Sequence, residues 1–231
     1  MNDNYYDQNL NAQKLYRVYQ SRYPRVKQYL DAEISFVKKH LQGTERVLEL
    51  GAGYGRIMKE LAPFCRSITG IDISEDNVEF GRAYLREVDN CRLMVMDAHH
   101  LRLQEAFDVI LCLQNGLSAM KLEPMEYIRD MMELLSPGGT AFISSYSPNF
   151  WQHRLAWFQE QADQGLLGEI DMDKTKDGVI VCRDGFRATT HSPEEMERIG
   201  KASGQAYRVA EVDGSSIFLV VKKGMGEKKD G

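Results

Sequence analysis

Apolar and polar positions along this chain switch between two periods. From Pro24 to Leu41 the apolar residues Val26, Tyr29, Leu30, Val37 and Leu41 recur every three to four positions. This predicts an amphipathic helix with Pro24 in its first turn and Gly43 just past its end. Short runs that are apolar on both faces then alternate with helical stretches. "RVLEL", "SITGIDI", "CRLMVM", "FDVILCL" and "TAFISSY" predict five strands. "RIMKELAP" predicts a short helix stopped by Pro63, Ser74 caps a helix running to about Glu87, and Pro124 opens one through Ile128, Met131 and Leu135 that "SPGG" breaks. Strands without a polar face, each followed by a helix, imply a parallel sheet covered on both sides.

The last third has a different rhythm. Phe150 to about Gln164 predicts a helix, and "EIDMDKTKDGVIVCRDGF" predicts two strands around a polar turn. Ser192-Pro193-Glu194-Glu195 is a capping box with proline at the first helical position. "AYRVAEV" and "SIFLVVK" flank Asp213-Gly214, which predicts a hairpin and hence an antiparallel end to the sheet. The expected fold class is α/β, a doubly wound, Rossmann-like sheet.

Composition narrows the function. The 231 residues are 43% apolar, and no apolar run approaches the ~18 residues of a membrane span. The net charge of −5, without a basic stripe, disfavours a nucleic-acid ligand. "MNDNYYDQNL" lacks the basic and apolar regions of a secretory signal. Cys65, Cys91, Cys112 and Cys182 are widely spaced and contain no Cys-x-x-Cys, as expected of reduced core thiols in a cytoplasmic protein. The histidines show no ligand spacing, so no metal site is expected.

The chemistry centres on "VLELGAGYGR". Gly51, Ala52 and Gly53 leave room for backbone N–H groups to approach a ligand, and Gly55 lets the next helix pack closely. The dinucleotide fingerprint has glycine where Arg56 stands, and Glu49 puts an acid beside the turn. Both features disfavour an NAD-dependent oxidoreductase, and the charge of Glu49 suits a cationic ligand better than a diphosphate. Asp72 ends the second strand, where an acid holds ribose hydroxyls. Asp97 and Ala98 end the third, where an acid can accept from an exocyclic adenine amine.

With these residues in place, the chain resembles the class I S-adenosylmethionine-dependent methyltransferases of the small-molecule kind. "VLELGAGYGR", "GIDIS", "VMDAHHL", "FDVILCLQNGLS" and "LLSPGGTAFIS" are similar to that family's ordered motifs between Val47 and Ser145. The resemblance implies a seven-stranded, mostly parallel sheet of order 3-2-1-4-5-7-6 with the last strand inserted antiparallel. It implies S-adenosyl-L-methionine as cofactor and S-adenosyl-L-homocysteine as product, contacted by Glu49, Gly51, Ala52, Gly53, Arg56, Asp72, Ile73, Asp97, Ala98 and Leu113. Asn115 then falls near the transferred methyl, and His153 is the candidate base. Tyr16, Tyr19, Gln114, Tyr146 and Trp151 are expected around the acceptor, while Trp157 and Phe158 also suit the core of a cap helix. Gln114-Asn115-Gly116 replaces the Pro-Pro-aromatic signature of nucleobase- and glutamine-directed enzymes.

The expected layout is one domain over 1–231, with cap helices over 1–43, an insertion over 147–190 and a frayed tail over 224–231. The expected activity is methyl transfer to nitrogen or oxygen of a small-molecule acceptor by a monomer or homodimer. A protein or RNA methyltransferase, or a non-catalytic protein that binds the same cofactor, remain the alternatives.

Overall fold

The structure, a computed structural model, describes residues 12–226. Tyr5, Tyr6 and the end of the tail expected to fray therefore lie outside the described residues. Helices α1 (Ala12–Val18) and α2 (Pro24–Lys38) precede β1 (Arg46–Leu50), α3 (Arg56–Leu61), β2 (Ser67–Asp72), α4 (Glu75–Tyr84), β3 (Cys91–Val95) and β4 (Phe107–Cys112). Then come α5 (Gly116–Ala119), α6 (Pro124–Leu134), β5 (Leu135–Tyr146) and α7 (Trp151–Asp163). The short strands β6 (Ile180–Val181) and β7 (Arg187–Ala188), α8 (Pro193–Ala202), β8 (Ala206–Val212) and β9 (Ser216–Lys222) complete the order.

The main sheet runs β3-β2-β1-β4-β5-β9-β8. Its first five strands are parallel, and β9 lies between β5 and β8, antiparallel to both. With the separate β6–β7 pair set aside, this is the expected 3-2-1-4-5-7-6 order. Strand residues alternate between two cores. Val47, Ile68, Val109, Leu111 and Phe142 pack with Ile34, Ile57, Met58 and Val78 on one face. Leu48, Ile71, Ile110, Ala141 and Ile143 pack with Ile128, Met131, Met196 and Ile199 on the other. Burial on both faces is why these strands read as continuous apolar runs.

Local signals act as the sequence predicts. Ser74 accepts from the Asn77 N–H, and Ser192 and Glu195 form the reciprocal capping box. Asp213 and Gly214, both with φ near 60°, turn the β8–β9 hairpin, and Arg25 and Gln28 of α2 hold the Asp213 carboxylate. Two regions differ. Phe107 pairs with Leu135 but Val109 pairs with Thr140, so Ser-Pro-Gly-Gly is a bulge inside β5 rather than a break before it. The segment after α7 is a chain of tight turns: Lys176 bridges Val179, Ile170 bridges Cys182, and only Ile180–Val181 pairs regularly with Arg187–Ala188. Its Asp- and Lys-rich stretch has no apolar face with which to extend a strand.

A third apolar cluster positions the site. Val18, Val26, Tyr29 and Leu30 from the N-terminal helices pack with Tyr146, Phe150, Trp157 and Phe158. The end of β5, α7 and the N-terminal helices therefore share one core at the C-terminal edge of the parallel strands.

Candidate active site

The glycine turn joins β1 to α3. Gly51 and Gly53 have φ of 68° and 55°, and a Cβ on Gly53 would stand 2.8 Å from Leu15 Cδ2. A side chain there would suffer both the left-handed backbone and the pressure of α1. Asp72 fixes the other side of the turn. Its Oδ2 accepts from the Gly53 N–H at 2.8 Å, and its Oδ1 accepts from Ser74 N–H and Asn77 Nδ2, each at 3.0 Å. Asn77 Oδ1 in turn accepts from the Ala12 N–H at 2.6 Å, which ties α1 to the same framework.

Above this turn, beyond the ends of β1, β2 and β4, lies a cavity of about 190 Å³. Of the residues expected around a ligand, thirteen line it: Tyr19, Glu49, Gly51, Ala52, Gly53, Arg56, Asp72, Ile73, Asp97, Ala98, Leu113, Gln114 and Tyr146. Ile73, after β2, and Asp97 and Ala98, after β3, line it together. Tyr19, Trp157 and Phe158 form a continuous set of ring contacts in its lining, beside Tyr146 and Gln161.

Four expected residues are placed elsewhere. Asn115 is buried, with its Nδ2 donating to Thr189 O and its Oδ1 accepting from Ser145 Oγ, each at 2.8 Å. Both ends of its amide are committed to joining β4, β5 and the chain before α8. His153 is exposed on α7, with its ring against Phe150. Trp151 is half-buried in the third core. Tyr16 is 39% exposed and packs on Tyr54 and Phe80 outside the cavity. None of the four lines the cavity, so none takes part in the function proposed below.

The cavity walls carry polar atoms without partners. Glu49 is 3% exposed and its Oε2 has no hydrogen-bond partner. Burial pushes its carboxyl up to about 8, against the pull of Arg56. Arg56 Nη2 and Gln114 Nε2 are likewise buried and unpartnered, and the Arg56 guanidinium lies 4.7 Å from the centre of the Tyr19 ring. Buried polar atoms are almost always satisfied in folded proteins. Three exceptions on one cavity mark where a ligand's polar groups belong.

Two further acids matter that the sequence reading missed. Glu33 is fully buried on α2. Its Oε2 accepts from the Gln114 N–H at 3.0 Å and its Oε1 from Ser216 Oγ at 2.6 Å. It thereby supports Gln114 and Asn115, two consecutive non-glycine residues with φ of 54° and 63°. Its position four residues after Tyr29 and four before Val37, on the apolar stripe, was a readable signal. Glu160 of α7 accepts from Ser21 Oγ at 2.5 Å and Arg22 N–H at 2.9 Å. With Trp157 Nε1 donating to Val18 O at 3.1 Å, it clasps the segment after α1 to the cap helix.

Glu33 and Glu49 make ligand-free stability depend on pH. Burial lifts Glu33 to about 7 and Glu49 to about 8 from 4.5. The native state then holds more protons than the unfolded chain between 4.5 and about 8, so stability falls as pH rises through that window and levels off above it. His191, lowered by burial from 6.5, opposes this trend at the acid end. Unfolding free energies from urea titrations at pH 6.5–8.5 are expected to decline by about 1.4 kcal/mol per pH unit for each group in its window. Glu49→Gln should flatten the upper part, and an unchanged slope in that variant would assign the effect elsewhere.

Residues 47–139 match the protein-family model described as a methyltransferase domain. The matched segment runs from the start of β1 into the bulge of β5, and so contains the glycine turn, Asp72 and Asp97. Together with the sheet order it gives the chain the Rossmann-like class I methyltransferase fold. The chain is 26% identical over 139 residues to a ubiquinone biosynthesis O-methyltransferase of Hydrogenovibrio crunogenus, over 58% of this chain and 56% of that protein. It thus spans about half the length of the curated relatives it matches. Among solved structures, DhpI in complex with S-adenosylhomocysteine superposes with a TM-score of 0.65 at 15% identity, over 95% of this chain and 94% of that one. The [4+2]-cyclase SpnF superposes at 0.60 and 19% identity, over 85% and 81%. The fold by itself therefore does not fix the reaction.

Proposed function

We propose that this chain is an S-adenosylmethionine-dependent methyltransferase acting on a nitrogen or oxygen of a small molecule. One observation carries the reading: Glu49 Oε2 and Arg56 Nη2, both buried without a hydrogen-bond partner, share a cavity that is also lined by Asp72, Asp97 and a group of aromatic side chains. A zwitterionic amino-acid tail suits the first pair, since Glu49 can take its ammonium and Arg56 its carboxylate. Asp72 would hold the ribose hydroxyls, Ile73 and Ala98 would pack on the adenine, and Asp97 would accept from its amine. The cofactor when bound supplies a methyl group activated by a sulfonium.

Tyr19, Tyr146, Trp157 and Phe158 shape the space for the acceptor, and the Gln114 amide can orient its polar group. His99 also lines the cavity, two residues after Asp97, with its Nε2 3.0 Å from Met120 O. The chain's contribution is then alignment and exclusion of water rather than proton abstraction by a histidine. No described helix is long and apolar enough to cross a membrane. The proposal is completed by a cytoplasmic setting, a monomer or homodimer, and no nucleic-acid partner.

Calorimetry is expected to show micromolar binding of S-adenosylhomocysteine and none of NADH. Turnover of S-adenosylmethionine should then appear with a panel of phenols, catechols, amines and carboxylates, the relatives' name putting oxygen acceptors first. NADH binding without S-adenosylhomocysteine binding overturns the reading. Cofactor binding without turnover across the panel points to a binding protein instead.

A further inference from the structure

Glu49 occupies an uncomfortable place for a charge. It lies in the central strand β1, flanked by Gly70 of β2 and Leu111 of β4, with its side chain on the cavity wall. Its Oε2 is buried with no donor to meet it. Arg56 from α3 and the Met58 backbone N–H favour its ionised form, while Asp72 from β2 opposes it. The other titratable groups that feel it are neutral: Tyr19 after α1, Cys91 of β3 and Cys112 of β4. Among the described residues no ion pair joins Glu49 to Arg56, whose Nη2 is itself unpartnered. An ionised carboxylate with an orphaned oxygen in such a setting is costly, and holding a proton relieves the cost.

We propose that the ligand-free cavity carries a proton on Glu49 and that a ligand ammonium displaces it, so that cofactor uptake releases one proton per site. The exchange balances: the neutral carboxyl and the protonated amine become a carboxylate–ammonium pair, and the proton leaves to buffer. The ligand's carboxylate, placed on Arg56, keeps the remaining charges paired. The inference rests on the proposed cofactor and adds to it a protonic coupling between binding and pH. The elevation of the Glu49 carboxyl to about 8 agrees with the geometry.

S-adenosylhomocysteine, which bears the same amino-acid tail, is the probe. Calorimetric titration at pH 7 in phosphate and in Tris, whose ionisation heats differ, counts the protons released. The expected result is close to one proton per ligand, with affinity about tenfold tighter at pH 7 than at pH 6. Glu49→Gln should bind more weakly, release almost no proton and lose the pH dependence. Glu33→Gln, which alters the buried acid behind Gln114, should retain the release. Binding with identical heats in both buffers overturns the proposal while leaving the cofactor reading intact. So does release that persists in Glu49→Gln. No binding at any pH overturns both. If Glu49→Gln fails to fold, the two-buffer comparison on the unaltered chain still decides.

Discussion

Replacing Asp72 with alanine is expected to weaken S-adenosylhomocysteine binding by about 2–4 kcal/mol, because two ribose hydroxyls lose a charged acceptor. From the sequence, a strand-end carboxylate outside the core should leave ligand-free stability almost untouched. The structure reverses that part. Asp72 accepts from Gly53 N–H, Ser74 N–H and Asn77 Nδ2, so its loss strands donors on the glycine turn and on the start of α4. A further loss of about 1–3 kcal/mol in unfolding free energy is expected. Urea denaturation without ligand, and calorimetry well below the transition, separate the two effects. Full affinity per folded molecule would show that Asp72 only braces the turn.

The second large effect concerns the N-terminal segment. Deleting residues 1–20 is expected to abolish turnover and also to raise the dissociation constant for S-adenosylhomocysteine about tenfold or more. From the sequence, a segment that covers only the acceptor would leave cofactor affinity largely intact when removed. Leu15, Val18 and Tyr19 instead line the same cavity as Glu49 and Asp72, and burying a side chain of that size stabilises by about 1.5–3 kcal/mol. The deletion also takes away Val18 O, the partner of Trp157 Nε1, so acrylamide should quench tryptophan fluorescence more readily in the shortened protein. A truncated chain with undiminished turnover and affinity would mean that the segment does not cover the site.

The half of the site nearest the glycine turn was legible because its residues stand at the ends of consecutive parallel strands. Glu49, Asp72 and Asp97 each sit at or near a strand's C-terminal end, and parallel pairing brings those ends together automatically. The other half depends on contacts between residues far apart in sequence, such as Ser21 with Glu160 and Gln114 with Glu33, which no local pattern reports. Asn115 was expected at the methyl because it follows β4. Two successive left-handed residues send Gln114 to the cavity instead and turn Asn115 away. On α7 the helical period held usable information. Arg154, Trp157, Phe158 and Gln161 are buried at spacings of three and four, a face that includes three cavity residues and leaves His153 in solvent. Trp151, three residues before Arg154, shares that face but packs in the third core rather than on the cavity.

The antiparallel strand β9 has a consequence for the order in which the molecule is built. Every residue lining the cavity precedes Leu166, so a chain emerging from the ribosome has all of them well before β9 is synthesised. Yet β9 supplies Ser216, which meets Glu33 across 183 positions, and it covers the flank of β5 from Thr140 to Tyr146. Until that strand slots between β5 and β8, the Glu33 carboxyl beneath Gln114 lacks its Ser216 donor and β5 is an open edge. The residues of the pocket are thus all made while β5 still lacks the strand that pairs with it. Contacts of such separation are the slow steps of folding and the ones most open to pairing with a wrong chain.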